Sequence, residues 1–136
     1  MREGFKVVDE VSIPSDFESM HEVENLIDKV CGNFGVADNY GNVLIAVTEA
    51  VNNAIIHGNK KDKDLLVKVS VGDNNQSFCF SVIDAGPGFD FANLPDPTAP
   101  ENIEKENGRG IFLMRNLADE VEFADYGRNV SIYFTK

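Results

Sequence analysis

The stretch from residue 67 to residue 84, VKVSVGDNNQSFCFSVID, constrains the fold more than any other. Val67, Val69 and Val71 alternate with Lys68 and Ser70, so one side of the run is apolar and the other polar, the two-residue period of a half-buried strand. GDNN then supplies a turn, and Phe78, Phe80 and Val82 alternate in a returning strand that ends at Asp84. Strands joined by so short a turn pair antiparallel, and their shared apolar side needs a second layer to cover it.

The flanking segments offer that layer. FKVVDEVSI (5–13) is valine-rich and reads as a first strand. Ser15 follows as a helix N-cap with Glu18 three residues on, the spacing of a capping box. Phe17, Met20, Val23, Ile27, Val30 and Phe34 recur at three- and four-residue steps, an amphipathic helix ending in the region of Gly32–Gly35. A second helix is expected from about Asn39 to His57, stopped by Gly58. GRG (108–110) opens a short helix to about Leu117, and EVEFA and NVSIYF close the chain as strands about a tight turn at Tyr126 and Gly127. Between Phe89 and Asn107 lie three of the five prolines and five acidic residues with little periodicity, a loop long enough to be functional or disordered. The order β-α-α-β-β-loop-α-β-β predicts an α+β two-layer sandwich, a mixed, mainly antiparallel sheet covered on one face by helices. A length of 136 residues favours a single domain over 1–136.

Charge and cysteine usage exclude some roles. Twenty-three acidic against 12 basic residues give a net charge of −11, which repels phosphate backbones and makes nucleic acid and anionic membranes poor partners. Cys31 and Cys79 sit inside apolar patterns without metal-ligand spacing, as expected of two buried thiols in a reduced, cytoplasmic protein. No signal-peptide pattern opens the chain, and no apolar run approaches the ~20 residues of a membrane span.

Three segments carry chemistry. On a wheel at ~100° per residue, Val43, Leu44, Val47, Val51, Ala54 and Ile55 form one arc of the second helix. Glu49, Asn52 and Asn53 form the opposite arc, bordered by Ile45 and Ile56. Such a group is either a partly exposed polar face or a site. Glu49 and Asn53 project side by side at i and i+4, where one can serve as a base and the other can offer an amide oxygen to a hard cation. Asp84-Ala85-Gly86-Pro87-Gly88 is either an ordinary turn or a carboxylate fixed at a strand end to accept a hydrogen bond from an exocyclic amine, with glycines that let backbone approach a flat ring. Asn107-Gly108-Arg109-Gly110-Ile111 is either a plain loop-to-helix junction or a seat for phosphates at free helix N–H groups. It has neither the Walker pattern nor the position of a dinucleotide fingerprint.

Taken in order, the three segments resemble the GHKL ATPase superfamily, with the Bergerat fold shared by gyrase B, mismatch-repair ATPases and histidine kinases. Glu49-x-x-x-Asn53 looks like its N box, Asp84-x-Gly86-x-Gly88 its first glycine box, Gly108-x-Gly110 its second, and 89–107 its ATP lid. EAVNNAIIHGN and GRGIFLMRNLADEVEF are similar to the bacterial anti-sigma-factor serine kinases of the partner-switching type. The resemblance implies ATP and Mg²⁺ as cofactors. It makes Asn53 the Mg²⁺ ligand, Glu49 the base that takes a proton from the attacking hydroxyl, and Asp84 the reader of the adenine amine. Gly86 and Gly88 would shape the adenine pocket, Gly108 and Gly110 would offer backbone to the phosphates, and Arg109 would add charge there. Asn52 would line the pocket, and His57 would pack or cap the helix end.

The function implied is an ATP-dependent serine/threonine-protein kinase and anti-sigma factor. It would phosphorylate a STAS-type antagonist, sequester a sigma factor and pair as a homodimer through the N-terminal strand. A competing class is a nucleotide-dependent protein-binding switch without phosphotransfer, which would not need the base Glu49. A sensor histidine kinase fragment fits less well: His21-Glu22 in the first helix lacks a dimerisation hairpin around it.

Overall fold

The computed structural model describes residues 1–86 and 106–136, with the side chains of 106–109 and 126 outside that description. Five strands form one sheet: β1 (Lys6–Pro14), β2 (Leu66–Asp73), β3 (Ser77–Ile83), β4 (Glu120–Ala124) and β5 (Asn129–Thr135). Their spatial order is β1-β2-β3-β5-β4, and every neighbouring pair is antiparallel. The alternation in 67–84 sets the register: Val71 stands opposite Phe80, and Phe80 opposite Ile132. The turn forms because Asn75 tolerates φ +76° and the Asn74 side chain accepts from the Gln76 and Ser77 N–H groups.

Three helices cover one face, as an α+β two-layer arrangement requires: α1 (Met20–Phe34), α2 (Tyr40–Asn53) and α3 (Glu106–Leu117). α1 buries Val23, Leu26, Ile27, Val30 and Cys31 and ends at Gly35, whose φ of +67° turns its N–H back onto the Cys31 and Gly32 carbonyls. The start of this helical region differs from the sequence expectation. Ser15 is not a cap; it is buried and its hydroxyl donates to the Leu65 carbonyl. Asp16 does the capping, accepting from Ser19 N at 2.9 Å ahead of a 3₁₀ turn at Phe17–Ser19. That turn swings Phe17 out of the apolar stripe and leaves it 48% exposed.

α2 buries a wider arc than its wheel suggested. Val43, Val47 and Val51 face the sheet side of the core, and Ala46, Ala50 and Asn53 are buried as well. α3 packs against α2, with Gly110 lying against Glu49 and Asn53. Beyond Asn53 the helical run continues as a π-turn, Ala54–Gly58, in which Asn59 N bonds the Ala54 carbonyl at 2.7 Å. Lys60 and Lys61 then adopt positive φ, so the chain reverses after Gly58. α3 starts at Glu106, earlier than expected, so Gly108 and Gly110 lie within the helix and do not precede it. The expected lid, 89–107, therefore overlaps α3 by two residues, and its remainder lies outside the described residues. No helix among the described residues is long and apolar enough to cross a membrane.

Candidate functional site

The end of β3, the π-turn after α2, the first half of α3 and the β4–β5 turn meet at one corner of the sandwich. Along α2 the two amides diverge. Asn53 is 7% exposed and faces the crevice toward α3, whereas Asn52 is half-buried and does not line it. Glu49 and Asn53 do come together, and α3 meets them at Gly110. A methyl group there would lie 2.9 Å from Glu49 Oε2 and 3.3 Å from Asn53 Nδ2. Glycine at 110 thus lets α3 lie against the acid and the amide without displacing the Glu49 carboxylate. Asn53 Nδ2 is buried with no hydrogen-bond partner among the described residues. A buried N–H in that state suits an acceptor oxygen rather than a cation. An amide oxygen beside a carboxylate is a hard-donor pair that suits Mg²⁺, which takes few protein ligands and keeps waters and phosphates.

On its inner side Asn53 borders a small pocket with Ala50, Ala54, Val82, Asp84, Met114 and Val130. Asp84 is the polar floor of that pocket and is 7% exposed. Burial pushes its carboxyl above the ordinary carboxylate range, while the Gly86 N–H and the Arg128 guanidinium pull the other way. Gly86 N donates to Asp84 Oδ1 at 2.9 Å, a tight turn folded on its own side chain. Between the described residues the enclosed space is about 10 Å³, room for about one water.

Asn59 and Arg128 of this corner were not singled out by the sequence, and Gly58 was read only as a helix stop. Gly58 is more than a helix stop: a methyl group on it would sit 2.4 Å from the Asp84 carboxyl carbon. Gly86 abuts the same turn, its would-be methyl 1.6 Å from the Gly58 carbonyl oxygen. Asn59 is 2% exposed; its Oδ1 accepts from Ala85 N at 2.8 Å, and its Nδ2 donates to Ser15 Oγ at 2.8 Å and the Leu66 carbonyl at 3.1 Å. Arg128 donates from Nε to the Gly86 carbonyl at 2.7 Å, and its own carbonyl accepts from Asp84 N at 2.8 Å. A polar residue directly after HG at a helix end was the one available signal for Asn59. Arg128 gave none beyond a basic residue in a turn.

The remaining expected site residues are placed only in part. Gly88 lies outside the described residues; Gly108 and Arg109 fall in the first turn of α3, without a description of the Arg109 side chain. N–H groups of a first turn lack partners within the helix, which suits Gly108 to the phosphate role better than Gly110. His57 is half-buried in the π-turn. Cys31 and Cys79 are buried and free, and burial pushes the Cys79 thiol up to about 11, so neither is poised as a nucleophile.

Comparison with known proteins adds an independent line. A family profile, the histidine kinase-like ATPase domain, matches residues 13–134. Among curated proteins, the serine-protein kinase RsbW of Bacillus cereus (strain AH820) is 28% identical over 144 residues, covering 100% of this chain and 88% of that protein. The protein of the same name from Bacillus anthracis gives the same figures. That of B. cereus (strain Q1) is 29% identical over 143 residues, with the same coverage.

Proposed function

The chain belongs to the histidine kinase-like ATPase domain family, and on that premise we propose that it is an ATP-dependent serine/threonine-protein kinase that also acts as an anti-sigma factor. The observation that carries the proposal is the double position of Asn53. It stands beside Glu49 under Gly110 and, on its other side, lines the pocket floored by Asp84. A carboxylate, an amide and a second carboxylate in that order would serve a nucleotide as base reader, metal ligand and proton acceptor.

In this reading Asp84 accepts from the adenine amine, and Gly86 and Gly88 shape that pocket. The free N–H groups in the first turn of α3, Gly108 among them, and the charge of Arg109 would serve the phosphates, while Gly110 lets the helix lie against Glu49 and Asn53. Asn53 ligates Mg²⁺, which when bound neutralises phosphate charge. Glu49 takes the proton from the attacking serine hydroxyl. Similarity to proteins named serine-protein kinase supports phosphotransfer as the outcome. The acceptor is a STAS-type antagonist, and the sequestered partner is a sigma factor. We read 1–136 as a single cytoplasmic domain that pairs through β1, an edge strand whose Val7 and Val8 are 54% and 48% exposed.

The test incubates the protein with γ-labelled ATP, Mg²⁺ and a purified STAS protein encoded beside it. Label on a serine of the STAS protein is the expected result. ATP binding without transfer to any candidate would replace the kinase with a nucleotide-dependent binding switch.

A further inference from the structure

We propose that Asn59 and Arg128 form a two-sided clamp that positions the Asp84 carboxylate for recognition of the nucleotide base. The inference rests on the reading of Asp84 as the base-contacting group and names the residues that give that group its direction.

The turn 84–86 begins where sheet pairing stops, since Ile83 is the last residue of β3 in register with β5. Its backbone must therefore find partners elsewhere. Asp84 N goes to the Arg128 carbonyl, Ala85 N to Asn59 Oδ1 and Gly86 N to Asp84 Oδ1, while the Gly86 carbonyl accepts from Arg128 Nε. All three N–H groups of the turn thus end on Asn59, Arg128 or Asp84 itself. The two clamp residues approach from opposite sides, one from the π-turn and the other from the β4–β5 turn.

Neither jaw is loose. Asn59 is itself held by Ser15 Oγ and the Leu66 carbonyl, which ties it to the end of β1 and the start of β2. Arg128 Nη1 bonds Asp125 Oδ1 at 3.1 Å. Gly58 fills the space behind the carboxylate with no room for a methyl group, so Asp84 cannot retreat in that direction. A purely structural role would call for satisfied N–H groups alone. Here the same bonds also hold the turn in which Gly86 N engages Oδ1, and so fix Oδ2 as the oxygen that the turn leaves for a ligand. Recognition of one exocyclic amine depends on that, because a shift of ~0.5 Å degrades a directional hydrogen bond.

The experiment measures binding of ATP and of the triphosphate of purine riboside, which lacks the 6-amino group, by titration calorimetry. Wild type, Asn59→Ala, Arg128→Ala and Asp84→Asn are compared, with circular dichroism to check the fold. Wild type should prefer ATP, and both clamp variants should shrink the preference about tenfold or more by losing affinity for ATP alone. Equal weakening of both ligands, or an unchanged preference, would overturn the clamp as a positioning device. If Asn59→Ala does not fold, Arg128→Ala, whose parent side chain is 29% exposed, decides the matter. Should Asp84→Asn keep the full preference, the base-reading role of Asp84 fails. A collapse in Asp84→Asn with none in the clamp variants rejects the clamp alone.

Discussion

Asp84 concentrates the conflict on which the site depends. Its carboxyl is buried, and burial raises its pKa above the ordinary 3.8, so between those values the folded protein binds more protons than the unfolded chain. Stability then falls as pH rises through that window, and the loss persists at neutral pH. Asp84→Asn removes the titration while its amide oxygen can still accept from Gly86 N. The variant should be at least as stable as the parent at pH 7 in urea unfolding, with the advantage fading below pH 3.8. Its ATP affinity should fall about 10–100-fold, because a charged acceptor for the base amine is lost. A variant that is less stable at pH 7 yet binds ATP normally would contradict both halves. At this scale the sequence revealed residue types that advertise chemistry: a lone aspartate at a strand end, and an acid and an amide one turn apart. It did not reveal Asn59 and Arg128, whose partners lie 26 and 42 residues away and depend on how the turns meet. The cap moved from Ser15 to Asp16 for a similar reason: the serine hydroxyl is taken by a distant carbonyl.

Between helices, the determining contact is α2 against α3. Periodicity identified α1, the apolar arc of α2 and, by alternation, β2 and β3. It drew the buried arc of α2 too narrow because a wheel shows one partner layer, and α2 has two: the sheet and α3. Ala46 and Ala50 were the legible trace of that second layer. Gly110 of α3 lies against Glu49 and Asn53 of α2, and Gly110→Ala tests that contact. The added methyl would lie 2.9 Å from Glu49 Oε2, inside normal contact, so the carboxylate or the helix must shift. Phosphate transfer should fall on the order of 10²-fold, as expected for misplacing a reacting group by ~1 Å, with ATP affinity reduced much less. Single-turnover rates with labelled ATP, set beside calorimetric affinity, would show the split; loss of affinity with an unchanged rate would place Gly110 in binding.

Across the whole molecule, an antiparallel sheet with one covered face leaves two edges, β1 and β4. The exposed Val7 and Val8 on β1 are the residues that the proposed pairing would cover. Sedimentation at micromolar concentration should give a dimer, and Val8→Lys should shift it toward monomer. A wild-type monomer with and without nucleotide would count against pairing. The architecture was legible because hairpins and helix lengths leave few topologies open, whereas the closeness of Glu49, Asn53 and Gly110 emerges only once α3 is laid on α2. The central claim is that this corner transfers phosphate and does more than hold a nucleotide, and Glu49→Ala tests it most directly. The substitution removes the proposed base and leaves Asn53, Asp84 and the start of α3 in place. Measured on one preparation with ATP, Mg²⁺ and the STAS acceptor, ATP binding should survive while transfer falls by ~10²–10⁴. Transfer by Glu49→Ala at the wild-type rate would contradict the account.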